Sequence, residues 1–138
     1  MRLAGRIFRS GRLWAIEVPM LGVVTQGRTR REAFEMIADA VECLVDRKGF
    51  RVTVHSATGD YFEISSDSQP ELVALLLRRQ RAIHCLTLEQ VARNLDARSL
   101  NSYARYEQGR AMPSVAKLSL LLSALSEGSD FVVEPSKL

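Results

Sequence analysis

The stretch Ser99–Lys117, S-L-N-S-Y-A-R-Y-E-Q-G-R-A-M-P-S-V-A-K, decides the fold of the second half of this chain. Tyr103 and Tyr106 lie three positions apart, the spacing at which side chains become neighbours on a helix. Gly109 suits the end of that helix, because glycine readily adopts the left-handed conformation that closes helices. A proline then favours a loop, and Ser114 is a good N-cap for a further helix. The stretch therefore predicts a short helix, a loop and the start of another helix.

A second short helix is predicted just upstream of this stretch. Thr87 and Gln90 have the spacing of a capping box, in which two side chains satisfy the first amides of a helix. The apolar residues that follow share one helical face: Leu88, Val91, Ala92 and Leu95. Two short helices joined by a tight turn and followed by a longer apolar helix are typical of a helix-turn-helix domain, whose second helix enters the major groove of DNA. We therefore expect this half of the chain to bind double-stranded DNA.

The distribution of charge supports this expectation. The chain carries a formal net charge of +3, but residues 78–110 alone contain seven arginines and three acidic residues. The first 68 residues are close to neutral, with ten basic and nine acidic residues. A basic segment that coincides with a predicted helix-turn-helix suits binding to phosphates.

Individual positions around the predicted recognition helix have distinct expected roles. The expected base contacts lie on the side opposite the tyrosines: Asn101, Ser102 and Arg105. Arginine pairs with guanine and asparagine with adenine, although contact of Arg105 with phosphate alone is the alternative. The expected phosphate contacts flank the helix or begin it: Arg98, Ser99 and Arg110. Such contacts add affinity without sequence discrimination, and amides at a helix N-terminus also favour phosphate.

Residues 70–125 resemble the lambda-repressor and Cro-like class of helix-turn-helix domains. In that class an arginine on the first helix pairs with the glutamate near the end of the recognition helix. Arg81 and Glu107 occupy those two places here, so the resemblance implies a structural ion pair between them. The turn region, residues 95–100, is one residue longer than is usual for the class.

The first half of the chain predicts a sheet with one amphipathic helix packed on it. Apolar and polar side chains alternate with a period of two in the second strand, and Ser10-Gly11 is predicted as a two-residue hairpin turn. The predicted strands span residues 3–9, 13–18, 21–26 and 50–55. Before the last of them, Thr29 and Glu32 form another capping box that opens a helix to about Asp46. Residues 61–64 are either a further strand or a loop.

The small polar stretch Ser65–Gln69 is the best candidate for a linker. We therefore expect an α+β fold with two domains, residues 1–68 and residues 69–138, the second being an all-α helix-turn-helix bundle. Phe131–Val133 is β-prone and lies outside the predicted helices. It is either a frayed tail or a strand that pairs with another copy of the chain.

The segment Val18–Thr29, V-P-M-L-G-V-V-T-Q-G-R-T, followed by Glu32-Ala33, resembles the signature of the HicB antitoxin family. Gly22 and Gly27 would permit turns that other residues resist. The resemblance implies a β-β-β-α-β, partial ribonuclease-H-like layer in residues 1–68. It also implies a HicA-type, messenger-RNA-cleaving toxin as the partner and assembly into dimers or higher oligomers. One branch of the family carries a helix-turn-helix with the Tyr-Ala-Arg-Tyr-Glu-Gln-Gly run found here.

Enzyme chemistry is not expected. A two-metal nuclease would need several carboxylates that converge from strand centres and a helix start, whereas Glu17 stands alone on its strand. Cys43 and Cys85 are expected to be ordinary reduced thiols, and no metal-ligand spacing is present. Since no signal peptide or membrane-spanning apolar run is predicted, we expect a cytoplasmic protein without a cofactor.

Together these patterns predict an antitoxin that also represses its own operon. Residues 1–68 would neutralise the toxin and residues 69–138 would bind the operator, which requires a dimer at least because one recognition helix reads about half a symmetric site. Toxin-contact residues are not assigned, although edge strands, the exposed side of the sheet, Trp14 and Tyr61 are candidates. The alternatives are a stand-alone ligand-sensing transcription regulator and a degenerate nuclease.

Overall fold

The structure is a computed structural model that describes residues 1–96, 100–127 and 129–138. The fold is mixed α+β: the described residues form a five-stranded antiparallel sheet, five helices and one turn of 3₁₀ helix. They divide into two compact units. Unit 1 comprises residues 1–68 together with Ser136–Leu138, and unit 2 comprises Gln69–Pro135. The last three residues therefore pack with the sheet, and not with the helical half as predicted.

Unit 1 has the element order β-β-β-α-β-β. Its elements are β1 (Leu3–Ser10), β2 (Leu13–Val18), β3 (Val23–Gly27), α1 (Arg30–Val45), β4 (Thr53–Ser56) and β5 (Tyr61–Ser65). The strand order across the sheet is β3-β2-β1-β5-β4. Of the two predicted alternatives for residues 61–64, the strand is the one that forms, and it lies between β1 and β4 in the sheet.

The hairpin between β1 and β2 differs by one residue from the prediction. Ser10 pairs with Leu13, so the two turn residues are Gly11 and Arg12 and not Ser10 and Gly11. Gly11 takes a φ of +61°, a conformation that glycine adopts without strain. The turn therefore directs Arg12 outward at this end of the sheet, where its side chain is exposed.

Helix α1 packs on one face of the sheet. Thr29 caps it as predicted, because its side chain accepts a hydrogen bond from the amide of Glu32 at 3.0 Å. Apolar residues spaced three and four apart along the helix are buried: Ala33, Ile37, Val41 and Val45. They meet alternate residues of the strands, of which Ile7, Ile16 and Phe62 are fully buried. Burial on this face explains the period-two pattern of the strands.

Gly27 is required for a close approach, and not for a turn as predicted. It ends β3, and its φ is not positive. A Cβ added at Gly27 would lie 2.9 Å from Ala33 Cα and closer still to the Ala33 amide nitrogen. Gly22, by contrast, does have the left-handed conformation, with a φ of +57° after the 3₁₀ turn at Pro19–Leu21. The first turn of α1 therefore rests directly on the backbone of β3.

The described residues of unit 2 form four helices. They are α2 (Gln69–Ile83), α3 (Leu88–Asn94), α4 (Leu100–Glu107) and α5 (Val115–Leu125). The predicted capping box of α3 is confirmed, with the Gln90 amide donating to Thr87 Oγ1 at 3.2 Å and the Thr87 amide donating to Gln90 Oε1 at 2.7 Å. Ser114 caps α5 through a single hydrogen bond, which its Oγ accepts from the amide of Lys117 at 3.1 Å. Helix α4 packs against both α2 and α3.

The chain after α5 has no regular structure within the described residues. Phe131–Val133 forms no strand there, and Val132 and Val133 are almost fully exposed. The segment ends in Ser136–Leu138, which belongs to unit 1.

Candidate nucleic-acid interface

An ion pair ties the end of α2 to the end of α4. Arg81 Nε lies 2.6 Å from Glu107 Oε1, and Arg81 Nη2 lies 3.1 Å from Glu107 Oε2, so the predicted pair is present and is bidentate. The Glu107 side chain is only 8% exposed and that of Arg81 is 27% exposed. Arg81 Nη1 also donates to the carbonyl of Leu86 at 3.1 Å. A pair with this geometry fixes the orientation of α4 relative to α2.

Tyr103 joins Arg81 and Glu107 in a polar cluster on the buried side of α4. Its hydroxyl donates to Glu107 Oε1 at 2.7 Å, and the residue is buried. Burial, together with the neighbouring Glu107 carboxylate, raises the pKa of Tyr103 well above its usual value, so the phenol stays protonated and remains a donor. The hydrogen bonds that Arg81 donates to the Glu107 carboxylate raise the pKa of Arg81 as well. Arg81 therefore stays charged and Tyr103 stays neutral, as their hydrogen bonds to Glu107 require.

The opposite side of α4 faces outward. The three predicted base-contacting residues on it are all exposed: Asn101, Ser102 and Arg105. Tyr103 is buried and Tyr106 is half-buried, as their spacing predicted. Arg110 follows Gly109, whose φ is +69°, and is exposed beyond the end of the helix. The remaining predicted phosphate contacts, Arg98 and Ser99, lie outside the described residues.

The face of the sheet opposite α1 is open in part. Phe8 is 46% exposed and Val24 is 67% exposed, and both point away from the helix by the alternation of the strands. Between them, Arg6 Nη2 lies 2.7 Å from Glu17 Oε1. This mixture of exposed apolar side chains and ion pairs is a surface on which a protein partner could dock. We call it the open face.

The two aromatic residues considered as partner contacts differ in position. Tyr61 is half-buried on the open face, and Lys137 Nζ lies 5.6 Å from the centre of its ring. Trp14 lies on the other face of the sheet, the one that α1 covers. Arg9 and Arg30 flank its ring. Sequence reasoning missed that arrangement, because Arg9 and Arg30 lie on different elements and nothing in the local pattern relates them.

Glu63 is a buried carboxylate that sequence reasoning also missed. It is 3% exposed and accepts hydrogen bonds from Ser136 Oγ at 2.7 Å, Tyr61 Oη at 2.9 Å, Arg2 Nη1 at 3.0 Å and the Lys137 amide at 3.2 Å. Burial by itself would raise the pKa of Glu63, but the hydrogen bonds from Ser136, Arg2, Tyr61 and Lys137 lower it to about 2. The carboxylate therefore stays ionised and holds the last three residues on the sheet.

This environment makes the stability of unit 1 depend on pH. The folded pKa of Glu63 lies below its ordinary value of 4.5, so ionisation of Glu63 favours the folded state above pH 4.5. We expect that contribution to fall as the pH is lowered from about 4.5 to about 2. Urea unfolding followed by Trp14 fluorescence at several pH values would measure it. A Glu63→Gln variant should lose this part of the pH dependence, and an unchanged profile would contradict the assignment.

A cleft of about 550 Å³ opens between α1 and the edge strand β4. Phe34, Ala38 and Val54 form its apolar lining, with Arg30, Arg31 and Glu35 beside them. The arrangement places apolar side chains next to a strand edge that carries no further strand of the sheet. It is an open surface feature of unit 1.

Other kinds of site are not seen in the part of the chain that the structure describes. No three His, Cys, Asp or Glu side chains there are grouped to hold a metal ion. Cys43 and Cys85 are free and exposed. None of the helices in residues 1–96, 100–127 and 129–138 is long and apolar enough to cross a membrane.

No family model, characterised protein or solved structure matches this chain significantly.

Proposed function

We propose that this chain is a DNA-binding antitoxin of the HicB type, which neutralises a HicA-type messenger-RNA-cleaving toxin and represses the operon that encodes both. The observation that carries the proposal is the arrangement of α4. Its exposed side presents Asn101, Ser102 and Arg105, while its buried side is held by the Arg81–Glu107 pair. A rigidly held helix with polar, base-competent side chains outward is what major-groove reading requires.

In this proposal α3 and α4 form the helix-turn-helix and α4 is the recognition helix. The two helices are short, pack against each other and are supported by α2 and α5. The tight glycine turn at Gly109 and the cap at Ser114 separate α4 from α5. Arg98, Ser99 and Arg110 would hold phosphates on either side of the bases that α4 reads.

Unit 1 is proposed to be a partial ribonuclease-H-like layer that contacts the toxin. Support comes from the Val18–Thr29 segment, whose resemblance to the HicB signature coincides with a 3₁₀ turn, a left-handed Gly22 and the Thr29 cap. The open face, with Phe8 and Val24 exposed, is the proposed contact surface. Two copies of the chain would be needed to occupy a symmetric operator in the cytoplasm.

Co-purification tests the antitoxin proposal. Tagged full-length chain isolated from its source cell should retain a small basic toxin, identified by mass spectrometry and by its cleavage of messenger RNA. Val24→Asp should weaken that retention, because it places a charge on the open face. Leu120→Asp is the matched control, since Leu120 is 60% exposed in unit 2. Absence of a toxin from the wild-type preparation would refute the proposal.

The DNA-reading proposal predicts a selective effect of Arg105→Ala. On operator DNA the variant should lose about 1–3 kcal/mol of binding free energy, with little loss on random duplex DNA. Fluorescence anisotropy at several salt concentrations would compare the affinities for operator DNA and for random duplex DNA. Arg51→Ala, an exposed change in unit 1, should leave both affinities unchanged. Equal losses on both sequences, with a shallower salt dependence, would instead make Arg105 a phosphate contact.

A stand-alone regulator that senses a small ligand is the second candidate. The cleft between α1 and β4 is the observation in its favour, because its lining is apolar with charged groups beside it. The two candidates differ in what they bind. A ligand-sensing regulator would change its operator affinity with a small molecule and would retain no toxin.

A further inference from the structure

Arginine and tryptophan side chains meet at one end of the sheet in unit 1. Arg9 and Trp14 are paired across β1 and β2, and Trp14 is paired with Gly27 at the end of β3. Arg12 lies in the adjoining hairpin turn and Arg28 follows Gly27 directly. We call these residues the arginine–tryptophan cluster: Arg9, Arg12, Trp14, Arg28 and Arg30.

Two arginines of the cluster, Arg9 and Arg30, are positioned by contacts with the Trp14 ring. The guanidinium carbon of Arg9 lies 5.2 Å from the ring centre, and that of Arg30 lies 5.6 Å from it. Arg30 is fixed further, because it lies 5.3 Å from the Phe34 ring and donates to the carbonyl oxygen of Gly59. Guanidinium groups held within about 6 Å of an aromatic ring centre have already lost part of their freedom, so they lose less of it when they bind a ligand.

Much of the positive charge in the cluster is not neutralised. Arg9, Arg12 and Arg28 are exposed, and none of their side chains forms an ion pair with a residue that the structure describes. Other arginines of unit 1 do have such partners, as Arg6 has Glu17 and Arg31 has Glu35.

The acidic groups at the same end are fewer than the arginines. Glu32 accepts a hydrogen bond from the backbone amide of Arg28 at 2.6 Å. Asp60 lies near this end of the sheet, because its backbone carbonyl accepts a hydrogen bond from the Ile7 amide. The end therefore retains a positive surface beside an aromatic ring.

We propose that the arginine–tryptophan cluster binds single-stranded nucleic acid. Arg9 lies on β1, Trp14 on β2 and Arg28 directly after β3, and these three strands are neighbours in the sheet. The three residues therefore form a row of about 10 Å, given the spacing between strands. Unpaired bases can stack on aromatic rings and on guanidinium planes, and unpaired arginines attract the phosphates between them. In a duplex the bases are already stacked on each other and do not reach such a platform. This site is separate from the proposed duplex-reading side of α4 and does not depend on it.

The chain provides its own local probe, because Trp14 is its only tryptophan. Titration of the full-length chain with a twelve-nucleotide oligouridylate should change Trp14 fluorescence in a saturable manner. A matching deoxyoligonucleotide would show whether RNA or DNA binds more tightly. Ligands bound only by unit 2 would leave the signal unchanged, so failure here and failure of the operator-binding proposal are distinguishable.

Paired variants test the assignment. The double variant Arg12→Ala with Arg28→Ala leaves the Trp14 contacts in place. It should weaken oligouridylate binding on the order of tenfold and should reduce the slope of log affinity against log salt by about 1.4. Lys48→Ala with Arg51→Ala removes the same charge elsewhere in unit 1 and should change affinity less than about twofold. If the first pair fails to fold, Arg12→Gln alone should reduce the slope by about 0.7.

Three results would overturn the proposal. These are an unchanged Trp14 signal at saturating oligonucleotide, equal losses in both variant pairs, and duplex binding at this site as tight as single-strand binding. A signal produced by polyglutamate but not by oligouridylate would assign the cluster to an acidic protein instead.

Discussion

Replacing Glu107 by alanine is expected to lower the free energy of unfolding of unit 2 by about 3–5 kcal/mol. The Glu107 carboxylate is nearly inaccessible and holds both the Arg81 guanidinium and the Tyr103 hydroxyl. Its removal leaves a partly buried cation and a buried hydroxyl without their acceptor, which costs far more than the loss of an exposed ion pair. Helix α4, which presents Asn101 and Arg105, would then be less stable, and the proposed operator binding should weaken in parallel.

Two probes separate the response of unit 2 from that of unit 1. Urea unfolding followed by helical circular dichroism should shift strongly in Glu107→Ala, whereas the Trp14 fluorescence transition should stay near that of the wild type. Glu89→Ala is a suitable control, because Glu89 is exposed in the first turn of α3 and its loss should cost only about 0.3–1 kcal/mol. A Glu107→Ala transition within 1 kcal/mol of the control would show that the ion pair does little for stability.

Gly27→Ala is expected to destabilise unit 1 by about 1–3 kcal/mol, and a larger side chain should cost more. The new Cβ would meet the backbone of Ala33 in the first turn of α1, and backbone cannot move aside as the end of a flexible side chain can. Either β3 or the start of α1 must shift, and the buried contacts of Ile37 and Val41 would loosen with it.

Thermal unfolding would measure this loss, because about 1 kcal/mol lowers the Tm of a domain this small by roughly 4–8 °C. The neighbouring change Gln26→Ala is the control. Gln26 is exposed on the same strand, so its replacement should stay within about 0.5 kcal/mol. Similar Tm values for Gly27→Ala and the wild type would mean that β3 and the first turn of α1 can move apart at little energetic cost.

Local signals in the sequence predicted the helices well. Thr29, Thr87 and Ser114 each accept the hydrogen bond that an N-cap is expected to accept. Such bonds join residues three positions apart, so the necessary partners are visible in the sequence itself. The alternation in β2 was informative for the same reason, since the buried and exposed faces of a strand repeat every two residues.

Interactions between distant residues were harder to predict. The ion pair between Arg81 and Glu107 was expected only because a resemblance to known domains supplied the pairing. The place of β5 between β1 and β4, and the burial of Glu63, depend on which strands become neighbours. Gly27 was interpreted as a turn residue because a glycine has the same sequence signal whether it serves a turn or a close contact.

The hydrogen bonds that Glu63 accepts from Ser136 and from the Lys137 amide connect two distant parts of the chain and so close a ring. Glu63 and Ser136 are 73 positions apart, yet only the last three residues must detach for the ring to open. Such an opening breaks few contacts, so it should occur far more often than unfolding of either unit. The Lys137 amide, which donates to Glu63, would report it as hydrogen exchange faster than that of the amides in β1 and β5. We therefore expect Ser136–Leu138 to detach from Glu63 and rebind reversibly while the remainder of unit 1 stays folded.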